Sequence, residues 1–290
     1  MGMKFHKYHG LGNDYIVIDP REASLDLQEE TIQLICDRNY GIGSDGILYG
    51  PINEKGRDFS LRIFNPDGSE AEKSGNGIRI FSRYLWDIGL VKTEAFKILT
   101  KGGTVTSQVL DNGRQVKVKM GKVSFDAADI PVIGKSGEVI NQELRIGEKI
   151  FKYCAATVGN PHCVVLCNQI SPEIAKEFGP IIENDPIFPN RTNVQFLKVL
   201  KSSQIRIEIW ERGTGYTLAS GSSSTAAAAV AHRLGLCGNC IDVFMQGGKL
   251  SISFTDDYFA TLVGPVVAVY DGELRKGFFD KSIQENKSCG

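Results

Sequence analysis

The sequence predicts an α+β protein of two pseudo-symmetric domains, each a curved, mainly antiparallel sheet wrapped around a central helix. Short runs that alternate apolar and polar residues recur along the chain, which is typical of strands in such sheets. Two Gly- and Ser-rich loops, at residues 74–77 and 220–223, each lead into an apolar helix. They lie 146 positions apart (220 − 74) in a chain of 290 residues, so the two halves are expected to repeat one architecture.

The charge balance and cysteine usage exclude several classes of protein. Lysine and arginine number 33 and aspartate and glutamate 34, so the net charge is −1 and there is no basic footprint for nucleic acid. No apolar run approaches the roughly 20 residues of a membrane-spanning helix, and the first residues lack the apolar core of a signal peptide. The seven cysteines form an odd, scattered set, which argues against a disulfide framework. We therefore expect a cytoplasmic protein with no membrane or nucleic-acid partner.

The first half of the chain reads mostly as strands around one helix. Residues 4–20 predict a strand, a tight turn and a second strand, and residues 96–121 predict β-hairpins. The remaining predicted elements are a short helix at 29–37, strands at 47–49 and 61–64, and a helix from 78 to about 90.

The second half repeats this order. Residues 126–137 contain Pro and Gly and look like a linker. The predicted strands are at 152–166, interrupted at 158–162, and then at 193–196, 205–210, 250–254 and 259–269. We predict a first domain of residues 1–127 plus 268–290 and a second domain of residues 128–267.

The start of the second-half helix has the features of an anion site. Four hydroxyl residues at 222–225 precede four alanines at 226–229. Hydroxyl oxygens accept hydrogen bonds from unpaired amides at a helix start, and alanine favours the helix itself. Because free helix amides also bind carboxylates and phosphates, two facing helix starts would clamp one anionic ligand between the halves. The structural alternative is that Ser74 and Ser220 are ordinary N-cap residues.

Several long motifs, in order, resemble the diaminopimelate epimerase family over nearly the full chain. They are HGLGNDYIVID, GIGSDGIL, RIFNPDGSEAEKSGNGIRIFSRYL, VGNPHCVV, RTNVQF, ERGTGYTLASGSSS and GPVVAVYDGEL. The resemblance implies a pseudo-symmetric fold of two domains and inversion of one α-carbon of diaminopimelate without a cofactor. In that chemistry one group removes the α-proton from one face and a second group delivers a proton to the other face.

The resemblance also implies the roles of individual residues. The catalytic positions are Ser74 and Ser220, with His162 and Glu211 tuning them. The positions matching substrate contacts are Asn13, Asn65, Gly75, Asn76, Asn160, Asn193, Arg212, Gly221 and Ser222. Arg212 is expected to hold the distal carboxylate in a bidentate fork. The helix-start amides are expected to surround the reacting carboxylate. The implied partners are a diamino-dicarboxylate substrate and a second copy of the chain, with no metal and no other cofactor.

The catalytic pair departs from the family, which has cysteine where this chain has Ser74 and Ser220. A thiol ionises near about pH 8.5, whereas an alcohol is a weaker acid than tyrosine at roughly 10. Each serine therefore needs an adjacent base, for which His162 is the first candidate and Lys73 the second. We expect strongly reduced epimerase activity, or none, with the substrate pocket preserved.

Three functions remain open from the sequence. The protein is an epimerase of diaminopimelate or a similar amino acid, or it catalyses related α-proton chemistry such as dehydration of another amino acid. The third possibility is a catalytically inactive amino-acid-binding protein, including a Cys→Ser variant of an active enzyme.

Overall fold

The computed structural model describes residues 2–22, 27–52, 54–55, 58–275 and 277–279. These residues form four α-helices and twenty β-strands, which confirms the predicted α+β class. The helices are α1 (Glu29–Cys36), α2 (Gly75–Asp87), α3 (Pro172–Glu183) and α4 (Gly221–Arg233). The first-half strands are β1 (Met3–Gly10), β2 (Asn13–Ile18), β3 (Ile47–Tyr49), β4 (Glu54–Lys55), β5 (Asp58–Ser60), β6 (Arg62–Phe64), β7 (Glu70–Ala71), β8 (Phe96–Thr100), β9 (Gly103–Leu110) and β10 (Gln115–Lys122). The remaining strands are β11 (Gln142–Ile146), β12 (Lys149–Thr157), β13 (Pro161–Leu166), β14 (Asn193–Lys201), β15 (Gln204–Glu211), β16 (Gly215–Thr217), β17 (Cys240–Met245), β18 (Gly248–Phe254), β19 (Phe259–Pro265) and β20 (Val267–Leu274).

Each half wraps strands around one central helix, as the sequence predicts. Helix α2 packs against β1, β2, β9 and β10, and helix α4 packs against strands β12 to β15 and β17 to β19. The alanines at 226–229 are fully buried, and their small side chains let the surrounding strands approach α4 closely.

The first central helix begins earlier than predicted. It starts at Gly75, three residues before the predicted start at Ile78, and it ends at Asp87. The Gly-Asn-Gly sequence looks like loop because glycine disfavours helix, but these residues occupy the first turn, where amides have no intrahelical acceptor. Ser74 compensates by accepting a hydrogen bond from the Gly77 amide at 3.0 Å.

One hydrogen-bonded sheet joins the two halves. A six-stranded sheet has the order β20-β1-β2-β3-β6-β7, and a larger sheet runs from β11 to β4. In the larger sheet, β10 of the first half pairs antiparallel with β19 of the second, with Val118 opposite Leu262. The central helices are therefore held in a fixed relation by backbone hydrogen bonds as well as by side-chain packing.

The last described strand returns to the first half. Strand β20 pairs antiparallel with β1, with Met3 opposite Leu274, as expected if the segment beginning at residue 268 belongs to the first domain. The precise boundaries stay a prediction, and residues 276 and 280–290 of that segment lie outside the described residues. The predicted linker at 126–137 contributes Ala127, Ile130 and Val132 to a buried cluster.

Helix α3, which the sequence analysis does not predict, supports the turn after β15. Ser171 caps it, with Pro172 in its first turn. At its last residue the buried Glu183 carboxylate accepts hydrogen bonds from Trp210 Nε1 at 2.7 Å and from the Gly213 amide at 2.9 Å. Glu183 therefore fixes both sides of the Glu211-Arg212 pair.

Candidate active site

The starts of the two central helices touch each other through glycines. A Cβ atom placed on Gly221 would lie 3.3 Å from the Cα of Gly75, and one placed on Gly75 would lie 3.3 Å from the Cα of Gly221. Each helix start carries about half a positive charge, and here two of them converge. The contact leaves little room for a side chain on either glycine and favours an anion in front of the two helices.

A buried guanidinium adds positive charge to this junction. The Arg79 side chain is fully buried in α2 and donates from Nη1 to the Gly75 carbonyl at 3.4 Å. Its Nε and Nη2 atoms have no hydrogen-bond partner among the described residues. Burial lowers the pKa of Arg79 to about 10, so it stays charged at neutral pH.

Both predicted catalytic serines are helix N-caps. Ser74 has φ −138° and ψ 119°, and Ser220 has φ −145° and ψ 128°, so the two backbones match closely. Ser220 accepts from the Ser223 amide at 3.4 Å. The N-cap reading is therefore correct, and it is compatible with chemistry. An amide that donates to a serine oxygen stabilises negative charge there and leaves the hydroxyl proton free to point elsewhere.

The two serines have different chemical neighbours. The Glu211 carboxylate lies close enough to Ser220 for the serine hydroxyl to influence its pKa, and Thr217 Oγ1 donates to that carboxylate at 3.2 Å. Ser220 Oγ itself lies 3.5 Å from Ser222 Oγ. Burial raises the pKa of Glu211, and the two hydroxyl hydrogen bonds partly oppose that rise. Ser74 Oγ instead lies 3.2 Å from the phenol oxygen of Tyr15. Ser220 therefore has a carboxylate beside it and Ser74 has a phenol.

The two residues predicted as bases for the serines, His162 and Lys73, make their hydrogen bonds to other groups. No hydrogen bond joins His162 to Ser74 or Ser220 within the described parts of the chain, and Lys73 Nζ donates to the Met120 carbonyl at 3.2 Å. The assignment of His162 as the base for a serine has no geometric support and stays a prediction.

His162 is instead a buried neutral residue beside the second helix start. Its Nε2 donates to Asn160 Oδ1 at 2.9 Å, and Asn160 Nδ2 lies 3.5 Å from Ser222 Oγ. Complete burial lowers the pKa of His162 to about 3, so the imidazole is neutral over the physiological range.

Two asparagines join the halves in front of the helix starts. Asn76 Nδ2 donates to Asn13 Oδ1 at 2.8 Å and to the carbonyl of Ala219 at 3.1 Å, so one amide reaches residues of both halves. Asn13 Nδ2 in turn donates to Asp45 Oδ2 at 2.8 Å. Asn13 and Asn76 are thereby held against the loop that precedes Ser220.

Two further predicted residues, Arg212 and Asn65, lie on loops, and a third, Asn193, begins strand β14. The Arg212 amide donates to Asn193 Oδ1 at 3.0 Å, and its guanidinium donates to the Asn190 carbonyl at 3.0 Å. Within the described residues no salt bridge involves Arg212, so it is not a surface ion pair with Glu211. Asn65 stands apart, because its amide bonds Ser69 within its own turn at 3.0 Å.

Several buried polar atoms near the helix starts have no hydrogen-bond partner among the described residues. Among the described residues, six buried side-chain atoms lack a hydrogen-bond partner in the chain, and five of the six belong to Asn76, Arg79, His162 and Gln195. Gln195 donates from Nε2 to Ser223 Oγ at 3.0 Å, which places it at the start of α4. Buried polar groups are normally paired, so the Asn76 and Arg79 atoms at the start of α2 mark this place as a candidate site for a polar ligand. His162 and Gln195 interact with each other.

The sequence analysis missed Tyr15, Thr217, Asp45 and Gln195 as members of this cluster. Strand periodicity offered one signal, because residues i and i+2 of a strand point to the same side. Asn13 and Tyr15 occupy such positions in β2, so a site-facing Asn13 implies a site-facing Tyr15. The other three join the cluster through tertiary hydrogen bonds that no local pattern shows.

The fold is a two-part α+β fold with one central helix in each half. The capped starts of these helices face each other, an acid–base residue lies beside each cap, and a candidate anion site lies between the halves. The family model for diaminopimelate epimerase matches residues 5–125 and 154–273, one segment in each half. The chain therefore belongs to the diaminopimelate epimerase family.

Individual relatives agree with this assignment. The chain is 59% identical over 277 residues to diaminopimelate epimerase 2 of Nostoc sp., covering 96% of this chain and 97% of the relative. It is 36% identical to the diaminopimelate epimerase of Pelotomaculum thermopropionicum, covering 93% and 98%. A solved structure of a hydroxyproline epimerase from Agrobacterium vitis matches with a TM-score of 0.68 at 14% identity over 96% of this chain and 92% of the other, which shows a shared fold.

Two further findings concern the described residues as a whole. No helix among them has the length and apolar content needed to cross a bilayer. Their six cysteines, Cys36, Cys154, Cys163, Cys167, Cys237 and Cys240, are all free, and none stands at a helix start in the site.

Burial of neutral His162 predicts an acid-sensitive fold. Its folded pKa of about 3 lies below the unfolded value of roughly 6.5. The unfolded state therefore binds the proton first, so stability is complete above about pH 6.5 and is lost as the pH falls toward 3. Between pH 6.5 and 5.0 the loss from this residue is roughly 2 kcal/mol, at about 1.36 kcal/mol per pH unit.

The measurement is urea unfolding of the wild type and His162→Gln at pH 7.5 and 5.0. Glutamine keeps a polar side chain but does not titrate, so its free energy of unfolding should fall less on acidification. Equal losses in the two proteins would show that His162 does not carry this dependence.

Proposed function

We propose that the protein is a cofactor-independent epimerase that inverts an α-carbon of diaminopimelate, interconverting the LL and meso isomers. One observation carries the proposal. Two capping serines precede touching helix starts, and one has a carboxylate beside it while the other has a phenol. Inversion requires an acid–base group on each face of one carbon. The names of the relatives support diaminopimelate as the substrate.

The helix junction suits the reacting carboxylate. Backbone amides at Gly75, Asn76, Gly221 and Ser222 lie in the first turns of α2 and α4, where they lack intrahelical acceptors. Removal of an α-proton moves negative charge toward the carboxylate, so fixed donors stabilise the carbanion-like state. The buried Arg79 guanidinium behind these turns acts in the same direction. Backbone amides and the Arg79 guanidinium thus supply the charge stabilisation in the proposed removal of the α-proton.

Glu211 is the base that this arrangement favours for Ser220. As the α-proton moves to Ser220 Oγ, the serine proton passes to the Glu211 carboxylate. The raised pKa of Glu211 makes it a stronger base than an exposed glutamate. His162 then acts indirectly, since it orients Asn160, which contacts Ser222.

We expect residues around the helix starts to bind the distal end of the substrate. Arg212 would hold the distal carboxylate, with Asn193 fixing the Arg212 backbone, and Asn13, Asn65 and Asn160 would contact the remaining polar groups. We further propose that dehydration of another amino acid, or binding without turnover, is the poorer assignment. Binding requires no acid–base residue, and dehydration does not return a proton to the opposite face of the α-carbon.

The proposal is tested by α-proton exchange in deuterated water with LL- and meso-diaminopimelate. We expect deuterium incorporation together with interconversion of the isomers. A keto acid formed from a hydroxylated amino acid in a parallel assay would indicate dehydration. Binding of diaminopimelate by calorimetry without exchange would indicate an inactive binding protein.

Restoring thiols should raise the rate. In Ser74→Cys/Ser220→Cys each acid–base group gains acidity, from an alcohol to a thiol near about pH 8.5, so interconversion should rise at least about tenfold. Ser202→Cys, at an exposed turn, controls for an added thiol. No gain in the double variant would point to another substrate or another chemistry.

Loss of the Arg212 guanidinium should weaken substrate binding. Arg212→Ala removes the proposed partner of the distal carboxylate and should raise the dissociation constant of diaminopimelate by about thirtyfold or more, or roughly 2 kcal/mol. Arg206→Ala, on the exposed face of β15, is the matched control and should bind like the wild type. Calorimetry that finds equal affinities for all three proteins would remove Arg212 from the site.

We propose that the protein is a homodimer that associates through β20. This strand is an edge of the six-stranded sheet within the described residues, and it exposes about half of each of Val267, Val269 and Tyr270. An exposed apolar edge strand is prone to pair with another chain. We also propose a cytoplasmic location, because the scattered cysteines do not suggest a disulfide framework; cell fractionation would test it.

Light scattering tests the proposed dimer. The wild type should have twice the 31.8-kDa mass of the chain, and Val269→Lys should have the mass of one chain. Ile150→Lys replaces an equally exposed apolar residue on the internal strand β12 and should stay dimeric. A monomeric wild type, or a dimeric Val269→Lys, would contradict the proposed interface.

A further inference from the structure

A buried phenol, that of Tyr15, lies next to Ser74. The Tyr15 Oη lies 3.2 Å from Ser74 Oγ, and the Tyr15 side chain is only 7% exposed. Within the described residues, Ser74 is the one hydrogen-bond partner found for that phenol. The other buried tyrosines of α2 and β1 differ, since Tyr8 and Tyr84 donate to Asp87 and Asp19 at 3.0 and 2.7 Å.

The Tyr15 ring occupies a slot formed by a glycine loop. A Cβ on Gly46 would lie 2.7 Å from Tyr15 Cε1 and 2.4 Å from the Phe64 carbonyl, so a side chain there would displace the ring. The loop is fixed to β2, because the amide of Asp45 donates to the Asp14 carbonyl at 2.9 Å and the amide of Ile16 to the Gly46 carbonyl at 3.1 Å. The phenol is therefore held rigidly at Ser74.

The groups around the two serines suit Ser74 to act as an acid and Ser220 to act as a base. Ser74 Oγ already accepts from the Gly77 amide at 3.0 Å, and Tyr15 can donate to its remaining lone pair. Ser74 then keeps its own proton for a third partner, which makes it an acid. Ser220, in contrast, lies near the Glu211 carboxylate, which Thr217 Oγ1 holds by a hydrogen bond of 3.2 Å. A carboxylate there can accept the serine proton, which would make Ser220 a base.

We propose that Tyr15 is a proton-relay residue that acts through Ser74, so that Ser74–Tyr15 is the acid side of the site and Ser220–Glu211 is the base side. This inference rests on the proposed epimerase function and deepens it. It assigns to each face of the α-carbon a different pair of residues in a fold whose two halves are otherwise alike.

The proton movements balance over one turnover. On the base face the α-proton bonds to Ser220 Oγ, and the Ser220 proton moves to Glu211, leaving a carbanion and a neutral carboxyl. On the acid face the Ser74 proton bonds to the carbon, and the Tyr15 proton moves to Ser74, leaving a phenolate. The carboxyl group of Glu211 is a far stronger acid than a phenol, so a proton returned through solvent restores both groups.

The electrostatics of Tyr15 suit an acid that releases its proton only transiently. Burial and the nearby Glu211 charge raise the pKa of Tyr15 to about 12, while its hydrogen bond with Ser74 acts in the opposite direction. The phenol therefore stays protonated at rest. When Glu211 takes up a proton during the reaction, its opposing charge disappears and ionisation of Tyr15 becomes easier.

Tyr15→Phe tests the relay by separating exchange from inversion. The variant keeps the ring in its slot and removes only the phenol oxygen. Interconversion of the isomers should fall at least about tenfold, the low end of a general-acid contribution. One of the two isomers, the one whose α-proton faces Ser220, should still take up deuterium with retention of configuration at a rate within about threefold of wild type. Its carbanion is then reprotonated from the base face.

Tyr8→Phe is the matched control, because it removes a buried phenol at the far end of α2 and should leave the ratio of exchange to inversion unchanged. A parallel fall of exchange and inversion in Tyr15→Phe would mean a structural role and overturn the relay. So would an unchanged rate of inversion. A wild type that shows neither exchange nor inversion would overturn the proposed function and the relay together, whereas an active wild type with an unaffected Tyr15→Phe would overturn the relay alone.

Discussion

The contact between the starts of the two central helices is the constraint on which the rest of this structure depends. Gly75 and Gly221 approach so closely that a side chain on either would press on the backbone of the other. Two positive helix ends repel each other, and the buried guanidinium of Arg79, whose Nε and Nη2 lack partners among the described residues, adds to that repulsion. The contact is maintained by the hydrogen-bonded ladder between β10 and β19 and by Asn76, which bonds both halves. The fold thus holds two positive helix ends together, and a bound anion would stabilise them.

The pseudo-symmetry of the fold places equivalent serines but gives them different surroundings. Their backbone angles agree within about ten degrees, and each accepts a hydrogen bond from the amide three residues ahead. The difference comes from the strands in front of them. Strand β2 presents a phenol to Ser74, and the end of β15 presents a carboxylate to Ser220. A repeated scaffold can therefore support a directional proton transfer, in which one face supplies the base and the other the acid.

Replacing thiols with hydroxyls makes the neighbours of each serine decisive. A thiol is acidic enough to act with modest help, whereas an alcohol needs a strong acceptor for its proton or a donor behind it. The structure offers an acceptor in Glu211 and a donor in Tyr15, each partly or wholly removed from water. His162 is buried and neutral and hydrogen-bonds Asn160, and no hydrogen bond joins it to either serine among the described residues.

The sequence by itself determined the repeated architecture, the presence of a central helix in each half and the family, because these depend on local patterns. Alternation predicts strands, and Ser before a Gly-rich first turn predicts a cap. It placed the start of α2 three residues late, since glycines at 75 and 77 resemble loop until the Ser74 cap is seen. Only the tertiary structure decided which residues serve which serine. Tyr15 and Ser74 are 59 positions apart and Asn76 and Ala219 are 143 apart, so their contacts arise from packing and from the ladder between the halves, which no local pattern specifies.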